Sequence, residues 1–96
     1  MATFITLMNF TDQGIRNIKE SPDRYDAFLE MAEKLEVTIK NVYWTVGHYD
    51  VVMVVEGSEE AATSLLLNLG SLGNVRTQTL RGYTVEEIKR IVSNMP

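Results

Sequence analysis

The chain of 96 residues has no cysteine and a single histidine, His48. It is expected to hold no disulfide, no thiol nucleophile and no thiolate metal site, and one histidine gives no His/His or His/Cys metal spacing. Basic residues are scarce too: nine Lys and Arg against thirteen Asp and Glu give a net charge of -4. No cationic stripe is available to neutralise nucleic-acid phosphates or to hold an acidic lipid surface, so neither nucleic acid nor membrane is expected as a partner. No apolar run approaches the roughly 20 residues of a membrane helix, and Met1-Ala2-Thr3-Phe4 lacks the charged start of a secretion signal. The expected location is the cytoplasm. One domain, residues 1–96, suits the length. A chain so short buries only roughly 60–65% of its unfolded surface, so self-association is expected to add stability.

What is present is a regular alternation of elements. Residues 2–10, Ala-Thr-Phe-Ile-Thr-Leu-Met-Asn-Phe, are β-branched and aromatic with apolar side chains on both faces, the pattern of a central strand. Thr11-Asp12 supplies a cap for a short helical turn, and Ser21-Pro22-Asp23 repeats the signal for a longer helix with Pro22 at its first position. In that helix Tyr25, Phe28, Leu29, Ala32 and Leu35 form one apolar stripe. Residues 37–46 read as a second strand of imperfect alternation, and Gly47-His48-Tyr49-Asp50 turns it into the apolar run 51–55. Ser58 caps a helix whose stripe of Ala61, Ala62, Leu65, Leu66 and Leu69 is expected to stop at Gly70. Residues 75–81 form a more polar strand, suited to an edge, and Thr84-Val85-Glu86-Glu87 has capping-box spacing before a last amphipathic helix carrying Val85, Ile88, Ile91, Val92 and Met95.

The order is βαββαβα. Two right-handed βαβ units joined by a hairpin predict an α+β, ferredoxin-like, four-stranded antiparallel sheet of order 4-1-3-2 plus a C-terminal helix. Two helices cover one face of such a sheet, yet strands one and three are apolar on both. The open face therefore needs either a second copy, giving a homodimer or higher homo-oligomer, or the chain's own C-terminal helix.

Three segments carry a resemblance: residues 8–16 (Met-Asn-Phe-Thr-Asp-Gln-Gly-Ile-Arg), 44–52 (Trp-Thr-Val-Gly-His-Tyr-Asp-Val-Val) and 70–77 (Gly-Ser-Leu-Gly-Asn-Val-Arg-Thr). In order and spacing they resemble the GYD-domain family over nearly the whole chain. Gly47, Tyr49 and Asp50 answer to the family's Gly-Tyr-Asp, with His48 set between glycine and tyrosine. The resemblance implies a dimeric α/β-barrel type of ferredoxin-like domain and brings with it no activity and no catalytic residue.

The topology gathers the three segments at one end of the sheet, where Asn9, Asp12, His48, Tyr49, Asp50 and Arg76 form a candidate binding cluster with Thr11, Gln13 and Asn74. The plainer reading makes them turn residues, with Asp50 capping the hairpin or pairing with Arg76 and Tyr49 plugging the end of the core. His48 lacks a second histidine for a metal, and as a general base it would need an orienting group such as Asp50. Tyr43 and Trp44 leave their strand on opposite faces, one toward the helices and one toward the open side. The glycines of residues 70–73 follow a helix and open a strand, the reverse of a phosphate-binding loop. No cofactor is expected. The function that fits is a cytoplasmic oligomeric binding or interaction module, with a small-molecule pocket between sheet and helices as an added feature. The alternative is a metal-free enzyme of monooxygenase or isomerase type, with Asp12, His48, Tyr49 and Asp50 as acids or bases and Arg76 as an anion clamp.

Overall fold

The computed structural model describes residues 1–96. Strand β1 (Ala2–Phe10) is followed by helix α1 (Asp12–Arg16), a 3-10 turn (Ile18–Glu20), helix α2 (Ser21–Lys34), strands β2 (Thr38–Trp44) and β3 (Val51–Gly57), helix α3 (Glu59–Ser71), strand β4 (Val75–Gly82) and helix α4 (Val85–Ser93). The sheet is antiparallel throughout with order β2-β3-β1-β4. This is the expected 4-1-3-2 order seen from its other side, and the two strands that are apolar on both faces do lie in the middle.

Register assigns the faces. Met8 and Phe10 of β1, Val51, Met53 and Val55 of β3 and Val75 of β4 point to the side that α2 and α3 cover, where they meet Phe28, Ala32 and Leu65. Leu65 and Met53 are 1% exposed, and burial of such side chains stabilises by about 1.5–3 kcal/mol each. Thr6 is fully buried on the same side, its hydroxyl 3.3 Å from that of Thr79. The imperfect alternation of residues 37–46 has a cause: a bulge between Ile39 and Asn41 sets Lys40 out of register, so Ile39 and Val42 share the helix side although three apart.

Three boundaries differ from expectation. Helix α3 runs through Gly70 to Ser71, and the glycine that leaves it with a left-handed backbone is Gly73, φ 82°. Val46 lies outside β2 and is fully exposed. Ser21 does not cap α2. It is the first helical residue and is buried, and its hydroxyl accepts a hydrogen bond from Trp44 Nε1 at 3.0 Å, while Glu20 takes the cap position without a side-chain bond.

Candidate functional site

At the end of the sheet where β1 and β4 meet the β2–β3 turn, the chain ties itself together with polar groups. The Phe10 backbone N–H donates to Asp50 Oδ2 at 2.8 Å, the Asp50 N–H donates to Met8 O at 2.8 Å, and the Thr45 N–H donates to Asp50 O at 2.8 Å. Asp50 thus binds the neighbouring strand's main chain and forms no pair with Arg76. Beside it, the Thr11 hydroxyl donates to Gly73 O at 2.6 Å and accepts from the Gly14 N–H at 3.1 Å, and the Thr11 N–H donates to Asn74 O at 3.1 Å. Gln13 Nε2 reaches Asn74 Oδ1 at 2.9 Å and Leu72 O at 3.2 Å. The close approach of these two loops depends on Gly14, where an added Cβ would stand 1.9 Å from Asn74 O.

The six candidate residues divide into two groups. Asp50 is committed to the backbone clasp, and Asp12 is exposed in the first turn of α1. His48 is exposed in the β2–β3 turn and makes no hydrogen bond. Asn9 and Arg76 are exposed and face each other across β1 and β4 on the open side of the sheet. Tyr49 does not plug the core. Its hydroxyl donates to Gln78 Oε1 at 3.0 Å, and Gln78 stands opposite Leu7 on that same open side. Asn9, Arg76, Tyr49 and Gln78 therefore rim the open face.

Inside that rim the register sets Ile5, Leu7, Val52, Val54, Leu80 and Tyr43 side by side. Tyr43 is 61% exposed and Leu80 45%, while Trp44, its neighbour, turns to the helix side and meets Tyr25 edge-on with ring centroids 5.7 Å apart. The two aromatics take opposite faces, as the strand period requires. Helix α4 does not cover the open face. It packs closely on no strand and no other helix, and its stripe of Val85, Ile88, Ile91, Val92 and Met95 is exposed. The radius of gyration is 14.7 Å, against about 12.5 Å for a compact chain of this length, and the longest extent is 51 Å. A helix of 9 residues is marginal alone in water. Here it is held by a full capping box, in which the Thr84 N–H donates to Glu87 Oε1 at 2.9 Å and the Glu87 N–H donates to Thr84 Oγ1 at 3.2 Å. The backbone bond from Thr84 holds the Glu87 carboxyl below its ordinary value, with its hydroxyl and the nearby Arg81 and Arg90 adding to the effect.

A second concavity lies on the helix side, between α2 and the sheet, and none of the six candidates lines it. Arg24 does, and sequence reasoning passed over it. The signal was there: Arg24 stands three residues after Ser21 and four before Phe28, on the buried stripe of α2, where a guanidinium is out of keeping.

Comparison with known proteins agrees with this architecture. The family model described as the GYD domain matches residues 4–92. A Thermus thermophilus protein named "glutamine synthetase and cystathionine beta-lyase binding protein" is 36% identical over 91 residues, covering 92% of this chain and 95% of its own. Among solved structures, FFRP-DM1 is similar with a TM-score of 0.61 at 19% identity, covering 86% of this chain and 100% of that one. A hypothetical protein, PHS023, from Pyrococcus horikoshii has a TM-score of 0.60 at 18% identity, covering 88% and 92%. At these identities the two structures speak for the ferredoxin-like fold alone.

Proposed function

The chain belongs to the GYD domain family, and from that premise we propose that it is an interaction module that pairs through its open sheet face and, as an assembly, docks on a metabolic enzyme of the kind for which its Thermus relative is named. The observation that carries this reading is the 36% identity to that binding protein across nearly the whole of both chains. The surface supports it. An apolar patch framed by polar groups and an amphipathic helix without a partner are features of a protein that meets other proteins.

Area argues for the second copy as occupant of the open face. Four strands about 4.8 Å apart and about seven residues long present roughly 450 Å². A stable interface covers about 800 Å² per partner, so sheet against sheet falls short by itself. Helix α4 adds the missing apolar surface when it lies against the second copy. Asn9, Tyr49 and Arg76 belong to the polar rim of that contact, and a cytoplasmic setting is part of the same reading, consistent with a chain without cysteine.

Light scattering tests both parts. The purified chain alone is expected at a mass of at least twice its 10.9 kDa, and to co-migrate with glutamine synthetase or cystathionine beta-lyase from its own source. A strict monomer sinks the pairing through the open face. Failure to co-migrate with either enzyme, with the assembly intact, sinks the docking.

A further inference from the structure

Strand β4 forms one edge of the sheet, and its free margin differs from that of β2 at the other. The β2 edge is broken by the bulge at Lys40 and crossed by the Lys40–Glu56 ion pair. Strand β4 pairs with β1 without a break and holds no proline and no acidic residue. Main-chain groups along a strand point alternately to its two sides. In β1 the Phe10 N–H and the Met8 carbonyl turn to Asp50 on the β3 side, so the groups of Ile5, Leu7 and Asn9 serve β4, at Leu80, Gln78 and Arg76. The N–H and C=O groups of Thr77, Thr79 and Arg81 then face outward, and no main-chain bond of a turn, loop or cap uses them. Arg81 does not shield them. Its guanidinium folds back to Thr3 O and lies over the rings of Phe4 and Tyr83, 4.5 Å from the centroid of the latter. Beside this margin, on the helix side, runs a groove lined by Phe4, Leu66 and Leu67 with Thr77 and Thr79 at its border, and Leu67 is 70% exposed.

We propose that the β4 margin receives the β4 margin of a second copy, antiparallel about a two-fold axis at Gln78 and normal to the sheet, joining two four-stranded sheets into one. An edge of unpaired groups without bulge or proline is a template for strand addition. The choice of a second copy rests on how β4 matches itself. With Gln78 opposite Gln78, Thr77 stands opposite Thr79 in both directions, and both residues carry outward groups, so each such pair exchanges two main-chain hydrogen bonds. Threonine across from threonine is also a favourable cross-strand pair. The same register sets Arg76 opposite Leu80 and Arg81 opposite Val75, so no like charges meet although the strand is basic. The groove beside Leu67 meets its own equivalent across the axis, and both leucines leave water. Eight residues at about 3.4 Å give a margin about 27 Å long and one strand thick, so this contact forms at higher concentration than pairing through the open face. The margin is a different surface from the open face and from α4, so the inference goes beyond the reading of those as interaction surfaces and stands or falls separately from it.

Amide exchange and cross-linking test it. At millimolar protein the amides of Thr77, Thr79 and Arg81 are expected to exchange about tenfold or more slowly than in an unstructured chain, and to lose this protection on dilution to the low micromolar range. The chain has no cysteine, so Thr77→Cys and Thr79→Cys each place a single thiol on the helix side of the margin. Mixed in a glutathione buffer, the two variants are expected to give the disulfide-linked heterodimer in about tenfold excess over either homodimer, against about twofold by chance, because only the unlike positions face each other at the span of a disulfide. Unprotected exchange at millimolar protein overturns the proposal, as does protection unmoved by dilution or a chance mixture of cross-links. Protection that appears only when glutamine synthetase or cystathionine beta-lyase is added assigns the margin to that enzyme and overturns the second copy as its occupant. The exchange measurement needs no variant, so a poorly folded cysteine chain leaves the test decisive. Val52→Arg, on the open face, is expected to keep both the protection and the cross-link.

Discussion

At the scale of the residue, the clasp between the loop after β1 and the loop before β4 is the most demanding local feature. The Asn74 carbonyl sits where a side chain at position 14 would be, and it is backbone, which cannot swing aside. Gly14→Ala is expected to destabilise the fold by about 2 kcal/mol, the range of overpacked sites. In a domain of this size that lowers Tm by about 10 °C, read by thermal unfolding; an unchanged Tm would mean that the two loops do not meet as described. Single residues were the least legible part of the sequence. Gly14, Asp50 and Asn74 lie within the segments that resemble the family, but their partners are main-chain groups far away along the chain, and a main-chain partner leaves no trace in composition. Asp50 is a case in point: a charged side chain beside a turn suggested either a cap on its own hairpin or a pair with Arg76, whereas the group waiting for an acceptor was the N–H of Phe10 on the neighbouring strand. Ser21 misled in the same way, since its helix-start pattern is real but its hydroxyl is used by an indole from β2.

At the scale of the element, strands and helices were legible because burial imposes a period on them. The double-sided apolar pattern of β1 and β3 located the centre of the sheet, and the polar β4 its edge. The bulge in β2 was visible only as an irregular alternation, because one inserted residue shifts the faces without changing the residue types. At the other edge strand, Lys40 makes a rim ion pair with Glu56 at 3.6 Å, and a charged, bulged edge discourages further strand addition. Helix α4 was predicted from its stripe and cap, and both are present, with the stripe left exposed. That helix should respond to pH. The Glu87 carboxyl is held below its ordinary value of 4.5, so its contribution is complete above that value and is lost as pH falls through the lower, folded one. Amide chemical shifts of residues 85–93 are expected to lose helical character over that acid range, and Glu87→Gln, which cannot ionise, to flatten this dependence. The same acid response in both chains would show that the capping box does not govern α4.

At the scale of the whole molecule, two apolar surfaces belong to one folding problem. A small domain with a face on which Ile5, Leu7, Val52 and Val54 are half-buried and Leu80 is exposed lacks part of the burial on which larger domains depend. Stability and assembly are then linked by mass action, and Tm is expected to rise with protein concentration from the low micromolar to the high micromolar range. Val52→Arg is expected to remove that dependence and yield a folded monomer with a lower Tm. A Tm independent of concentration in the native chain would argue that the face is not buried by a second copy. How α4 leaves the body also governs whether such an assembly is finite. It departs from β4 through Tyr83 and Thr84 alone, at the end of the sheet remote from Arg76. If two copies exchange these helices about a two-fold axis, every stripe and every face is filled and growth stops at the pair. If each copy hands its helix onward to a third, a face and a helix stay unfilled at the ends, and the chain of exchanges closes only as a ring or continues as a fibre. The direction taken by a two-residue hinge thus decides between a closed particle and an open polymer.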